Sequence, residues 1–153
     1  MDIKIVQASL DDASEILALQ NIAYQKEAAI YDDWNIPPLT QTLTEIKNEL
    51  ITKHFIKAIF NDRIISSVRG NLDYNTCMIG RLIVYPEYQN NGIGSLMMCN
   101  IENAFTNAKR FELFTGTKSI DNIRLYKKLG YREYRIQTLS PKVQIVFMEK
   151  HKK

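Results

Sequence analysis

The sequence predicts an α/β fold in one domain, residues 1–153: a mixed sheet flanked by helices. Two observations carry that expectation. Strand-like and helix-like periodicities follow one another in the order β-α-α-β-β-β-α-β-α-β-β, and such a string packs as a mixed sheet covered by helices. A chain of 153 residues is also the size of one domain with a substantial core, and no repeat, linker or low-complexity segment divides it.

The elements read as follows. Ile3–Ala8 is a short opening strand. Ser9 and Asp12 form a capping box, and Ala13, Ile16, Leu17, Ala23 and Tyr24 continue at helical spacing, predicting a helix to about Ile30. Residues 31–40 read as a loop, because Pro37-Pro38 cannot continue a helix. Thr42 and Glu45 open a second capped helix with Leu43, Ile46 and Leu50 inward. Three strands are expected over 54–60, 63–70 and 77–85, the last apolar enough to be central. Ile93, Leu96, Met97, Ile101, Ala104, Phe105 and Ala108 lie on one face of a helix. A strand follows at 111–116. Ser119 caps a helix through Leu129 that Gly130 stops, and 131–139 with 143–149 close the chain as an antiparallel pair.

Composition narrows the function. No apolar run approaches the ~18 residues of a membrane span, and the N-terminus lacks the basic and apolar regions of a signal peptide. Cys77 and Cys99 read as reduced core thiols, so a cytoplasmic location is expected. His54 and His151 are too far apart for a His-based zinc site, and no metal is expected. The net charge of +3 hides an asymmetry: residues 1–50 hold three bases against nine acids, a net −6, leaving +9 on the remainder. The basic half lacks Arg and Lys clustered with stacking aromatics, so nucleic acid is not the expected partner, and no membrane partner is expected.

The informative stretch is Val84-Tyr85-Pro86-Glu87-Tyr88-Gln89-Asn90-Asn91-Gly92-Ile93-Gly94-Ser95. It places two of the chain's six glycines at the seam between the apolar strand and the amphipathic helix. The first amides of a helix have no internal partners, and the helix dipole favours anions there. Glycine at 92 and 94 lets a bulky anion reach the backbone, so the seam reads as a diphosphate site. No Lys follows Gly94, which excludes a Walker loop, and Met97 stands where a dinucleotide loop has its third glycine.

Gln89-Asn90-Asn91-Gly92-Ile93-Gly94 resembles the Q/R-x-x-G-x-G/A signature of the GNAT family of N-acetyltransferases. Asn122 to Tyr131, with Asn122 and Tyr126 four apart on one helical face, resembles a compressed form of that family's second conserved segment. The likeness in element order spans nearly the whole chain, and the motif match covers 81–131. It implies a central mixed, mostly antiparallel sheet with a bulge that splays two strands apart. It implies acetyl-CoA as cosubstrate, its pyrophosphate held by Gln89, Asn91, Gly92, Ile93, Gly94 and Ser95. Leu82, Ile83 and Val84 would pair with the pantetheine arm, one amide there serving as oxyanion donor. Asn122 and Lys128 would contact the cosubstrate, and Tyr126 would touch it as general acid. The acceptor would be a primary amine of a small molecule, entering an acidic mouth of Glu27, Tyr31, Asp32 and Trp34. The general base stays open. A CoA-binding regulatory module and a protein N-terminal or lysine acetyltransferase are the alternatives, and a homodimer through the closing strands is one expected state.

Overall fold

The computed structural model describes all 153 residues. Its elements are β1 (Lys4–Gln7), α1 (Ala13–Ala23), α2 (Gln25–Tyr31), α3 (Pro37–Thr40), α4 (Leu43–Thr52), β2 (His54–Phe60), β3 (Arg63–Asp73), β4 (Thr76–Val84), α5 (Ile93–Ala104), β5 (Arg110–Gly116), α6 (Ile120–Lys128), β6 (Arg132–Ser140) and β7 (Val143–His151), with single 3-10 turns before α1 and α5. The seven strands lie in the order β1-β2-β3-β4-β5-β7-β6, which puts β4 at the centre. Only β4 and β5 run parallel; every other pair is antiparallel. The mixed, mostly antiparallel sheet expected from the sequence is the one formed.

Helices cover both faces. Ala13, Ile16 and Leu19 of α1 and Ile46 of α4 pack on Phe55, Ile64 and Ile83. On the opposite face Ile93, Met97, Met98 and Ile101 of α5 and Tyr126 of α6 join a larger core with Val68, Cys77, Phe111 and Val146. The two capping boxes form as read, Ser9 with Asp12 and Thr42 with Glu45. The β2–β3 turn places Asn61 and Asp62 at φ 51° and 60°, left-handed values that Asn and Asp tolerate. No helix is long and apolar enough to cross a membrane.

Five expectations are corrected. The helix read as continuous to Ile30 breaks at Tyr24, where φ is −88° and ψ 2°. The α1 stripe faces β2–β4, whereas Ala28 and Tyr31 of α2 pack with Val143 and Ile145 of β7; one straight helix cannot serve both. Pro37 and Pro38 start the turn α3 rather than forbidding one, since Pro suits the first helical positions. The helix α5 stops at Ala104, and the Phe105 ring turns back over Gly70, where a Cβ would come within 3.0 Å of it. Leu96, placed on the buried face, is 44% exposed, and Met98 fills the core instead. Cys99, expected in the core, is likewise exposed, while Cys77 is buried and its thiol pushed up to about 12 by burial and by Glu102.

Candidate active site

The site begins with an interruption in the sheet. β4 and β5 pair only through Thr76–Met78 against Arg110–Glu112, and no further rung joins them. On its other edge β4 carries a bulge. Ser67 faces Ile83 and Arg69 faces Gly80, so Val68 alone opposes Arg81 and Leu82. Arg81 absorbs the extra residue with φ 51°. Beyond Met78, β4 is paired toward β3 but not toward β5, and its backbone borders a cleft of about 770 Å³.

The Gly loop closes one end of this cleft. Asn90 and Gly92 take left-handed φ of 65° and 77°. The Gln89 amide donates to the Val84 carbonyl at 3.1 Å, and the Asn91 amide donates to the carbonyls of Tyr88 and Gln89 at 3.1 and 3.2 Å. These bonds turn the backbone into the start of α5. Leu96 is the first helical residue whose amide bonds back, to Gly92 at 3.1 Å, so the amides of Gly92, Ile93, Gly94 and Ser95 have no backbone acceptor. All four residues line the cleft. A Cβ at Gly92 would meet nothing within 4 Å, and one at Gly94 would crowd Leu125 at 3.2 Å. Gly92 therefore keeps the cleft side open, whereas Gly94 lets α5 pack against α6.

The other end is built from phenols and one inner carboxylate. Tyr126 is 7% exposed and its ring packs edge-on against Tyr131. Its hydroxyl takes no protein partner and borders the cleft, and burial, with the charges of Tyr24 and Glu27, pushes its pKa well above the ordinary phenol value. Glu27 accepts from Ser119 Oγ and, at 3.5 Å, from Asn122 Nδ2, which also donates to Thr115 Oγ1 at 3.3 Å. The Ser119 hydroxyl has one proton and gives it to Glu27, so the 2.8 Å contact between Tyr31 Oη and Ser119 Oγ is a donation from Tyr31. Tyr31 in turn accepts from the Lys118 amide at 3.0 Å. Burial raises the Tyr31 pKa, and its hydrogen bonds with Ser119 and the Lys118 amide offset part of that rise.

The cleft brings together Glu27, Tyr31, Leu82, Ile83, Val84, Gln89, Gly92, Ile93, Gly94, Ser95, Asn122 and Tyr126. The Ile83 side chain is buried under α1, so only its backbone faces the slot. Four residues read as site residues lie elsewhere. Asn91 is spent folding the loop. Lys128 is exposed on α6, Trp34 is 52% exposed, and Asp32 ends α2 with φ 49° near Lys142. Two cleft residues had no site role in the sequence. Ser119 read as a helix cap, but its side chain makes no cap bond because Glu27 and Tyr31 engage it. Arg81 gave no signal at all, since a bulge inside a strand leaves no local mark.

Comparison with known proteins places this architecture. The chain is 26% identical over 121 residues to UPF0157 protein YqkA of Bacillus subtilis (strain 168), covering 79% of this chain and 35% of that protein, so it spans about a third of that relative's length. It shares its fold with an acetyltransferase of the GNAT family from Streptococcus pneumoniae, at TM-score 0.78 and 20% identity over 98% of this chain and 99% of that one. It shares it equally with the PaiA N-acetyltransferase of Thermoplasma acidophilum in complex with coenzyme A, at TM-score 0.81 and 17% identity over 99% and 100% of the two chains. The sequence model of the acetyltransferase (GNAT) family matches residues 14–131, and on that match the chain belongs to the GNAT acetyltransferase family.

Proposed function

We propose that the protein is an acetyl-CoA-dependent N-acetyltransferase that passes the acetyl group directly to a primary amine of a small molecule. The observation that carries this reading is one cleft joining a cradle of free helix amides to the Tyr126 hydroxyl and the Glu27 carboxylate across the opening between β4 and β5.

The residues fit the cosubstrate. Four free amides at the head of a 12-residue helix suit a pyrophosphate, each bond worth about 1.5–3 kcal/mol. The unpaired edge of β4 suits a chain of amides such as the pantetheine arm. Bound acetyl-CoA supplies an activated acyl thioester. The backbone at Leu82–Val84 orients the arm and polarises the acyl carbonyl through one amide. Glu27 takes the proton that the attacking amine must shed, and Ser119 and Asn122 hold its carboxylate in place. Tyr126 donates its hydroxyl proton toward the departing sulfur. No covalent enzyme intermediate is required, and the burial of Cys77 and its raised pKa argue against a role as nucleophile.

The size of the cleft supports a small acceptor: at about 770 Å³ it is lined by residues of α2, Pro37-Pro38 and Val143 as well as by the Gly loop. The free Cys77 and Cys99 support a reducing, cytoplasmic setting. An exposed edge strand, β6, with Ile136 62% exposed, supports a homodimer through that edge.

Calorimetric titration of acetyl-CoA tests the reading. Wild type should bind at micromolar affinity and release free thiol when the right amine is added. Gly92→Asp keeps a residue that tolerates the left-handed φ but sets a carboxylate at the cradle, and should abolish binding. Absence of binding to wild type would remove the acetyltransferase reading.

A further inference from the structure

We propose that Arg81 selects the acceptor, and that the acceptor is an amine whose own skeleton also carries a carboxylate, as in an amino acid. The proposal rests on the acetyltransferase reading above and names the substrate class of the same cleft.

The first observation is the backbone of Arg81. Six non-glycine residues have positive φ, and five of them sit in turns or at element ends; Arg81, at 51°, is the one inside a strand. Left-handed backbone is strained for an L-residue. Glycine would relieve that strain, yet the bulge carries the largest cation. Arg81 lines the cleft.

The second observation is that Arg81, whose side chain reaches the Tyr24 hydroxyl, has no carboxylate partner. Of seven arginines, Arg63, Arg69, Arg110, Arg124 and Arg132 each reach a carboxylate, and the exposed Arg135 lies over Phe147. Arg81 alone is neither exposed nor matched with a carboxylate. Its surroundings deepen the imbalance. The buried Arg69 lies within electrostatic range, and Glu49, the acid nearest to Arg69, already serves both Arg69 and Lys53. A half-buried guanidinium in a positive neighbourhood calls for an anion from outside the protein.

Position excludes the cosubstrate's phosphates as that anion. Arg81 to Val84 spans about 10 Å of strand before the Gly loop begins, and the arm lying along that strand is uncharged. Toward α2, Tyr24 stands where it feels both Arg81 and Glu27. The cleft thus offers a carboxylate for an ammonium and a guanidinium for a carboxylate, both within electrostatic range of one phenol. A small zwitterion satisfies both.

Matched pairs of amines test this in a thiol-release assay at saturating acetyl-CoA: alanine with ethylamine, phenylalanine with phenethylamine, γ-aminobutyrate with propylamine. In wild type the carboxylate-bearing member should have at least about tenfold higher kcat/KM, the worth of one charge-assisted bond. Arg81→Gly and Arg81→Asn should erase that preference through KM on the acid alone, leaving the plain amine unchanged. Arg81→Gly should also raise Tm, because glycine accepts the bulge conformation, whereas loss of a structural arginine would lower it. The proposal is overturned if wild type prefers the plain amines, if the preference survives in both variants, or if both substrates lose equally. Acetyl-CoA binding with no turnover of any amine overturns it and leaves the cosubstrate assignment standing. No acetyl-CoA binding overturns the acetyltransferase reading itself.

Discussion

At Tyr126 the environment decides the chemistry. An exposed phenol titrates near ~10. Burial lifts it further, and the nearby Tyr24 and Glu27 act in the same direction. A raised pKa keeps the hydroxyl protonated throughout the alkaline range, so activity should show no falling limb near pH ~10 from this residue. Tyr126→Phe should lower kcat about 100-fold while leaving the calorimetric affinity for acetyl-CoA unchanged. Glu27 predicts a different profile. Glu27→Gln should slow turnover at neutral pH, and the deficit should shrink as pH approaches the amine's own pKa near ~10, where the nucleophile is already free. A deficit independent of pH would assign Glu27 to positioning rather than proton removal.

At the scale of elements, the join between α2 and the β5–α6 turn closes one wall of the cleft. Tyr31 and Glu27 from α2 meet Ser119 at the head of α6, and the Tyr31 ring fits only because residue 116 is glycine: a Cβ there would lie 1.8 Å from Tyr31 Oη. Gly116→Ala should therefore expel the tyrosine, lower Tm and raise the KM for amine, with acetyl-CoA affinity retained. Titration calorimetry beside steady-state kinetics separates the two effects. Elements with local signatures were legible in the sequence: both capping boxes, the Asn61-Asp62 turn, the Gly-x-Gly seam and the Gly130 stop, each set by a few adjacent residues. Features set by distant partners were not. The break at Tyr24 answers to two different packing surfaces. Ser119 leaves its cap for Glu27, 92 residues away. Asp32 and Trp34 read as an acidic mouth because they are near Glu27 in sequence, but α2 ends by turning them outward.

Across the whole molecule, the helices are registered on the sheet by a buried polar knot. Arg69 is 2% exposed, donates to Glu49 and Gln20 at 2.7 Å each and lies over the Phe55 ring; Gln20 also donates to the Pro38 carbonyl at 2.8 Å. Strand β3 is thereby tied to α1, α3 and α4 at one point. Burial pulls the Arg69 pKa down to about 10 despite Glu49, so the pair does not fully return the cost of desolvation and acts mainly in positioning. Glu49→Gln strands that cation and should cost about 3 kcal/mol in urea denaturation at pH 7. Burial raises the pKa of Glu49, but Lys53 and Arg69 outweigh it; Lys57 does the same for Asp12, and Arg110 holds down Glu149. All three bind protons less readily folded than unfolded. Their stabilisation is complete above the unfolded values near ~4 and drains as pH falls through the lower folded values. Tm should therefore stay level at neutral pH and decline below about pH 4.

The short β4–β5 seam also has a mechanical meaning. In backbone terms the sheet is two plates, β1–β4 and β5–β7–β6, riveted along three rungs at one end. Anything lying in the open end touches both plates and becomes a brace between them. The protein should then report occupancy of its cleft through stiffness: amide exchange across the far strands of both plates should slow together on binding, including in strands that touch no ligand.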